Sequence, residues 1–145
     1  MVSNKNILIA QGGGPTNVIN QSLVGIIRQE KKYKSKILGS INGVNGIINN
    51  RFISLNKISE NDLKTIANTP GAALGSTRDK PDKKYCKEIL KILENKKISK
   101  FYYIGGNDSS DSLRIISEYA KDTKYKLQCI HIPKTIDNDL VCNDH

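Results

Sequence analysis

The segment PKTIDND, residues 133–139, has the densest collection of reactive side chains in the chain. It directly follows a short apolar run, Leu127 to Ile132, and it supplies a cation, a hydroxyl and two acids: Lys134, Thr135, Asp137 and Asp139. Residues two apart in an extended loop point the same way, so the two carboxylates would lie close together. A loop that only turns the chain has no use for such an arrangement. We therefore predict a catalytic site, with Asp137 as the candidate base.

Two glycine-rich loops are candidates for binding an anion. GGGP, residues 12–15, follows the apolar run Asn6 to Ala10 and precedes a predicted helix, so backbone N–H groups and the helix amino terminus could approach a phosphate. GGND, residues 105–108, follows another apolar run. The alternatives are a tight strand-to-helix joint in the first loop, and helix capping by Asn107 and Asp108 in the second.

The loop GSTR, residues 75–78, adds one more cation, Arg78. By itself this residue is better explained as a solvated arginine. Combined with Lys134 and the glycine loops, it suits phosphoryl transfer, in which catalysis consists mainly of positioning and charge neutralisation.

The segments that must position these loops alternate between strand and helix patterns. Apolar runs predict strands at 6–10, 36–41, 52–55, 101–104 and 127–132. Apolar spacing and capping residues predict helices at 16–31, after Ser59, at 81–96 and at 109–121. We predict a turn-rich loop for NGVNGIINN, residues 42–50. The alternation indicates a three-layer α/β fold, with a mostly parallel sheet and helices on both faces.

A parallel sheet would bring the candidate loops together. Ligands in such folds bind beyond the carboxyl ends of the strands. Three predicted strands end at Ala10, Ile104 and Ile132, and each enters one of the loops described above. We therefore expect the three loops to meet at one edge of the sheet.

Composition limits the functional classes. A chain of 145 residues suits one domain, and its net charge of +9 comes from scattered lysines, without a nucleic-acid-binding motif. The excess positive charge favours an anionic small molecule. Three cysteines without CxxC spacing argue against disulfides, and the CxxH of Cys142 and His145 lacks a second ligand pair for zinc. With no apolar run long enough for a membrane span, we expect a cytoplasmic protein without membrane partners.

Four motifs resemble the phosphofructokinase family, and especially its diphosphate-dependent branch. They are GGGPTNVIN (12–20), GSTR (75–78), GGNDS (105–109) and PKTIDND (133–139), in the family's order and spread over nearly the whole chain. The resemblance implies phosphoryl transfer from diphosphate to the 1-hydroxyl of fructose 6-phosphate, giving fructose 1,6-bisphosphate, with Mg²⁺ as cofactor. It also implies a homodimer or homotetramer for the full-length protein.

The resemblance also assigns roles to individual residues. Asp137 matches the base, Asp139 lies in the same pocket, and Thr135 matches a residue near the transferred phosphoryl group, with Lys134 beside it. The residues that would bind the phosphates of the donor are Gly13, Gly14, Arg78, Gly106, Asp108 and Ser109. Asn107 stands where the family usually has an acid that contacts magnesium, so metal placement departs from the family pattern.

Asp108 indicates which donor is used. ATP-using members usually have glycine at this position, and commonly glycine at that of Lys134. A carboxylate about 4 Å from a phosphate oxygen costs about 4 kcal/mol at an effective dielectric near 20. We therefore expect diphosphate as the donor; the alternative enzyme is an ATP-dependent 6-phosphofructokinase.

Two alternatives come from other functional classes. A catalytically silent, phosphate-binding regulatory subunit would not need the intact pair Asp137 and Asp139. A dinucleotide-binding oxidoreductase would need GxGxxG spacing and an acid for the ribose, but the end of the second predicted strand reads SIN, residues 40–42, without an acid.

Length is the largest departure from the family. Its members run well beyond His145, and the residues expected to bind the 6-phosphate of the sugar would lie there. We therefore interpret residues 1–145 as the amino-terminal, phosphoryl-donor and catalytic-loop part of a phosphofructokinase domain. As a separate chain, we expect it to be inactive.

Overall fold

A computed structural model describes residues 6–135 of the chain. These residues form five strands and five helices, in the order β1 (Asn6–Gln11), α1 (Ile19–Lys32), β2 (Lys36–Ser40), α2 (Gly43–Ile48), β3 (Phe52–Ser54), α3 (Glu60–Ala67), α4 (Lys83–Asn95), β4 (Ile98–Gly105), α5 (Asn107–Asp122) and β5 (Gln128–Pro133). None of the described helices is both long enough and apolar enough to cross a bilayer.

The five strands form one sheet in the order β3-β2-β1-β4-β5. Strand β1 pairs in parallel with both β2 and β4, and β4 pairs in parallel with β5, whereas β3 is antiparallel to β2. The predicted mostly parallel sheet is confirmed. The chain leaves β1 toward β2 and β3, then crosses back over β1 to form β4. The switch in direction therefore falls between β1 and β4, which is where open α/β sheets bind ligands.

Helices cover both faces of the sheet, as predicted. Leu8 and Ala10 of β1 point toward a buried cluster that includes residues of α2, α4 and α5. Ile9, between them, points to the opposite face and packs in a cluster with residues of α1 and α3. The alternation of side chains along a strand explains why one apolar run supplies both cores.

The prediction of a turn-rich loop at 42–50 is wrong, because helix α2 occupies Gly43–Ile48. Val44 and Ile47 of this helix are fully buried against the sheet. Asn42 precedes the helix in a left-handed conformation, with φ of 63°, and its N–H donates to the carbonyl of Leu74 at 2.8 Å. Tertiary burial of two apolar residues thus overrides the weak helix propensity of the glycines and asparagines.

Three helix starts also differ from the predictions, that of α4 by two residues, since it begins at Lys83 instead of Pro81. Helix α1 begins at Ile19 instead of Thr16, and its N-cap position is Val18. Helix α5 begins at Asn107, with Gly106 at the N-cap, so Asn107 and Asp108 lie in its first turn and do not cap it. The first turn still favours the carboxylate of Asp108 through the helix dipole. The predicted cap of α3 is confirmed, since the hydroxyl of Ser59 accepts from the N–H of Asp62 at 3.1 Å.

A buried ionic cluster links α1 to β4. The carboxylate of Glu30, with a side chain only 2% exposed, lies 2.6 Å from Nζ of Lys100. It also accepts hydrogen bonds from Tyr102 Oη at 2.6 Å and Ser35 Oγ at 3.0 Å. Burial raises the pKa of Glu30, but these partners outweigh it and the pKa is lowered overall. Glu30 is therefore a satisfied, ionised group inside the fold.

Candidate active site

A cavity of about 480 Å³ opens at the carboxyl ends of β1, β4 and β5. Its lining residues are Gly13, Gly14, Thr77, Arg78, Asp79, Lys80, Gly106, Asn107, Asp108, Ser109, Lys134 and Thr135. The structure thus brings together every predicted site residue up to position 135. The other two, Asp137 and Asp139, lie outside the described residues. Thr77, Asp79 and Lys80 also line the cavity, although no sequence motif predicted them as site residues.

Backbone hydrogen bonds fix the first glycine loop in place. The N–H of Gly12 donates to Ile104 at 2.8 Å, and the N–H of Gly13 donates to Thr77 at 2.9 Å. Gly13 has φ of 77°, a region that residues with a side chain seldom adopt. Two of the three glycine amides are therefore used within the protein. The amide of Gly14 has no protein acceptor among residues 6–135, so it is the one of the three that a ligand could accept from.

The loop packs against the first turn of α5 without room for a side chain. A Cβ at Gly12 would lie 2.6 Å from Ser109 Oγ and 2.7 Å from Tyr103 Oη. Burial raises the pKa of Tyr103 to about 12, so its hydroxyl stays protonated in this contact. Glycine at position 12 therefore lets the loop after β1 touch the start of α5, which joins two walls of the cavity.

Two cationic side chains extend over the other two glycines. A Cβ at Gly13 would lie 3.1 Å from Cε of Lys134, and one at Gly14 would lie 3.3 Å from Nη2 of Arg78. The N–H of Lys134 donates to Gly105 at 3.2 Å, which ties its segment to the end of β4. Two positively charged side chains thus lie over residues 13 and 14, where the N–H of Gly14 has no protein acceptor among residues 6–135. This arrangement is typical of a site for a polyanion.

Asp108 forms an ion pair across the mouth of the cavity. Its Oδ2 lies 3.2 Å from Nζ of Lys80, with side-chain exposures of 67% and 75%. An exposed pair such as this contributes at most about 1 kcal/mol to stability. Its relevance is electrostatic, because Lys80 offsets part of the repulsion between Asp108 and a bound anion. The cost of about 4 kcal/mol expected for an unpaired carboxylate is therefore an upper bound.

The carboxylate of Asp79 accepts hydrogen bonds from neutral side chains. Its Oδ2 accepts from Asn45 Nδ2 at 3.2 Å and from Tyr85 Oη at 3.1 Å. Partial burial raises the pKa of Asp79, but hydrogen bonds from Thr77, Asn45 and Tyr85 lower it further than burial raises it. The alternating charges of Arg78, Asp79 and Lys80 in the sequence could have identified Asp79 and Lys80 as residues of the cavity.

Two buried amides, Gln11 and Asn20, connect the loop that carries Arg78 to the sheet. Gln11 Nε2 donates to Asn20 Oδ1 at 3.2 Å, and Gln11 Oε1 accepts from the N–H of Leu74 at 2.9 Å. Asn20 Oδ1 also accepts from Ala73 at 2.8 Å, while its Nδ2 donates to Thr69 at 2.9 Å. This network, which no sequence pattern predicted, links β1, α1 and the segment leading to the cavity.

The oxygen atoms that line the cavity suit a metal ion that is bound mainly through a phosphate-containing molecule. Residues 6–135 contain no group of three or more His, Cys, Asp or Glu that could enclose an ion. Magnesium commonly binds through one or two protein oxygens together with substrate phosphates and water. The amide of Asn107 and the carboxylate of Asp108 line the cavity and provide oxygens of that kind.

Comparison with known proteins identifies close relatives. The phosphofructokinase family model matches residues 6–145. A pyrophosphate–fructose 6-phosphate 1-phosphotransferase of Rhodospirillum rubrum is 54% identical over 141 residues, covering 96% of this chain and 35% of the relative. One of the same name from Xanthomonas campestris is 39% identical over 148 residues, covering 99% and 35%.

The solved structures agree with this result. The crystal structure of a pyrophosphate-dependent phosphofructokinase from Marinobacter aquaeolei superposes with a TM-score of 0.87 at 34% identity. It covers 95% of this chain, and the match spans 35% of the solved chain. The chain therefore spans about a third of the length of the relatives that it matches.

Proposed function

Because this chain belongs to the phosphofructokinase family, we propose that it forms the donor-binding part of a diphosphate-dependent 6-phosphofructokinase. The reaction moves a phosphoryl group from diphosphate to the 1-hydroxyl of fructose 6-phosphate and yields fructose 1,6-bisphosphate. In this proposal residues 1–145 are the amino-terminal part of the catalytic domain. The complete protein is a cytoplasmic homodimer or homotetramer.

The observation that carries the proposal is the pair of cations over the glycine loop. Lys134 and Arg78 come from segments 56 positions apart, yet both reach the backbone of residues 13 and 14. The site lies at the switch point of the sheet, where the first turn of α5 also faces the cavity. A compact polyanion with no apolar group matches these features. Inorganic diphosphate is such a molecule.

We infer the mechanism from the positions of Arg78 and Lys134 and from the motif that contains Asp137. Arg78 and Lys134 bind the two phosphates of the donor, and the N–H of Gly14 donates to one of them. Asp137 removes the proton from the 1-hydroxyl of the sugar. The oxygen of that hydroxyl attacks one phosphorus of the diphosphate, and the other phosphate leaves as inorganic phosphate. Thr135, whose Oγ1 would lie 3.4 Å from a Cβ on Gly106, borders the path of the transferred group. Magnesium, held through Asn107 or Asp108 and by the phosphates, would neutralise charge on the donor.

One observation favours the alternative of an ATP-dependent enzyme. The ion pair between Lys80 and Asp108 reduces the repulsion that Asp108 would impose on the longer donor. The ratio of kcat/KM with diphosphate to kcat/KM with ATP, measured on the complete enzyme, therefore distinguishes the two functions.

Replacing Lys134 by alanine is expected to weaken binding of Mg²⁺-diphosphate by about 10- to 150-fold. The estimate is the contribution of about 1.5–3 kcal/mol from a hydrogen bond to a charged group. Calorimetric titration of the complete enzyme measures it. Lys91→Ala, which removes an exposed lysine of α4 outside the cavity, is the matched control and should leave the affinity unchanged. Equal affinities for the Lys134 variant and the wild type would contradict the proposed donor site.

Replacing Asp108 by glycine is expected to move donor preference toward ATP by about tenfold or more in the complete enzyme. The change removes a carboxylate from the cavity and frees space beside the first turn of α5. Measuring kcat/KM with diphosphate and with ATP tests this expectation. Asp122→Gly, at the end of the same helix, controls for the helix-weakening effect of glycine. An unchanged ratio would mean that another residue sets the donor.

A further inference from the structure

Arg78 is one of the two cations proposed to bind the donor, and its position depends on its backbone. Its Nη2 would lie 3.3 Å from a Cβ on Gly14, so the guanidinium extends over the glycine loop. The residue is exposed, and among residues 6–135 it forms no ion pair, not even with its chain neighbour Asp79. The segments on either side of Arg78 must therefore hold this cation in place.

The backbone before Arg78 is attached to the glycine loop. Ser76 Oγ donates to the carbonyl of Gly13, and the N–H of Gly13 donates to the carbonyl of Thr77 at 2.9 Å. A Cβ at Gly43 would lie 2.8 Å from Cγ2 of Thr77, so the start of α2 packs closely against the same segment. The two residues that precede Arg78 are therefore fixed by the loop after β1 and by α2.

The backbone after Arg78 is attached through the side chain of Asp79. Its Oδ2 accepts from Nδ2 of Asn45 in α2 at 3.2 Å and from Oη of Tyr85 in α4 at 3.1 Å. Both partners are half-buried, and Arg51 Nη2 donates to Oδ1 of Asn45, which orients the amide nitrogen of Asn45 toward Asp79. The carboxylate thus bridges two helices, although Asp79 itself lies on an exposed loop.

The same two hydrogen bonds, which we call the Asp79 bridge, also determine how the charge of this carboxylate is used. A carboxylate next to an arginine in the chain is a potential partner for it, and an ion pair between them would neutralise a cation that an anionic ligand needs. In the part of the chain that the structure describes, the carboxylate of Asp79 is instead bonded to two neutral donors. The guanidinium of Arg78 therefore keeps its charge available to the cavity.

We propose that Asp79 is a positioning residue for Arg78, and that Asn45 and Tyr85 give it this role by holding its carboxylate. The inference rests on the proposed function, because it takes Arg78 to bind a phosphate of the donor. A chain attached on both sides of Arg78 has less conformational freedom to lose when the donor binds, and this raises affinity. Without the Asp79 bridge, the exposed residues 78–80 would be held on one side only, and Asp79 could pair with Arg78.

Two substitutions that change the charge equally test the Asp79 bridge. Asp79→Asn and Asp79→Ala both remove the carboxylate charge, but only asparagine keeps an oxygen that can accept from Asn45 and Tyr85. In calorimetric titration of the complete enzyme, Asp79→Ala should bind Mg²⁺-diphosphate about fivefold more weakly than Asp79→Asn, a factor that corresponds to the usual contribution of a hydrogen bond. Any effect of removing a negative charge from the cavity cancels in this comparison. Equal affinities of the two variants would overturn the proposal.

The same comparison without Arg78 shows whether the bridge acts through that residue. In an Arg78→Ala background, Asp79→Asn and Asp79→Ala should agree in affinity within about twofold, because no guanidinium is left to position. A difference as large as that measured with Arg78 present would contradict the positioning role, since the bridge would then act on the cavity as a whole. Asp79 is exposed, so its variants should fold, and circular dichroism with thermal unfolding verifies this.

Tyr85→Phe is an independent test that leaves the charge of the cavity unchanged. It deletes the hydroxyl that donates to Asp79 and should weaken binding of Mg²⁺-diphosphate by about threefold, while the Kd of fructose 6-phosphate stays within about twofold of wild type. Tyr125→Phe is the matched control, because the Tyr125 hydroxyl donates to the carbonyl of Leu93 at 3.2 Å, near the other end of α4. It should leave both affinities unchanged. Equal losses of diphosphate affinity in the two variants would attribute the effect to general destabilisation of α4 and refute the proposal.

The outcomes distinguish this inference from the proposed function. A complete wild-type enzyme that does not bind Mg²⁺-diphosphate, or an Arg78→Ala variant with wild-type affinity, would overturn the proposed donor site and this inference together. Binding that depends on Arg78 but is equally strong in Asp79→Asn and Asp79→Ala would overturn the role of Asp79 and leave the donor site intact.

Discussion

Turnover by the complete enzyme is expected to fall by about 10²- to 10⁴-fold when Asp137 is replaced by serine, while the affinity for both substrates is retained. This range is the usual contribution of a positioned general base. Asp137 lies outside the described residues, but Thr135, two positions before it, lines the cavity beside Gly106. A hydroxyl in place of the carboxylate can still contact the sugar but cannot accept its proton at neutral pH.

Steady-state kinetics and direct binding together make this test specific. The value of kcat should fall, and the Kd of fructose 6-phosphate, measured by titration, should stay within a few-fold of wild type. Asp139→Ser is the informative companion, because Asp139 is the other acid of the same motif. Undiminished turnover in the Asp137 variant, together with a large loss in the Asp139 variant, would assign the base to Asp139 instead.

Replacing Glu30 by glutamine is expected to lower the free energy of unfolding of the 145-residue chain by about 3–5 kcal/mol. The substitution leaves Lys100, whose side chain is 18% exposed, without its counter-charge inside the fold. Urea denaturation followed by circular dichroism measures the change. Glu118→Gln breaks the exposed pair between Glu118 and Arg114 and should cost far less, because solvent screens that pair. Similar losses in the two variants would show that burial does not amplify the Glu30 interaction.

The same residue predicts how stability depends on pH. Burial raises the pKa of Glu30, but its hydrogen bonds and Lys100 lower it below its ordinary value of 4.5. A carboxyl whose folded pKa is depressed contributes stability that is fully present above the unfolded pKa and is lost as pH falls through the folded value. Wild type should therefore lose stability below about pH 4.5, and the Glu30→Gln variant should lose less over that range. Parallel curves for the two proteins would contradict this assignment.

The meeting of the loops at one edge was predictable because it depends on local patterns and one topological rule. Strands separated by helices form parallel pairs, and the ends of parallel strands share an edge. The residues after Gln11, Gly105 and Pro133 therefore border one cavity, although they are far apart in the chain. The family-specific motif PKTIDND then distinguished this edge from that of any other α/β sheet.

Contacts between distant, individually ordinary residues were not predictable. Glu30 and Lys100 are 70 positions apart, and in sequence each resembles a solvated charge on a surface. The amides of Gln11 and Asn20 gave no signal either, because only the packing of three segments makes them partners. Helix α2 was missed for the same reason. Its propensity is poor, and its stability comes from the burial of Val44 and Ile47.

The exposed ion pair between Lys80 and Asp108 has a consequence for how such a protein can evolve. Both side chains are mostly in water and contribute little to folding, whereas the glycine loop and the two cores carry the architecture. Substitutions at these two positions can therefore accumulate almost neutrally with respect to stability. Under the proposed role of Asp108, related proteins can therefore change their phosphoryl donor through a few surface substitutions while each intermediate sequence still folds.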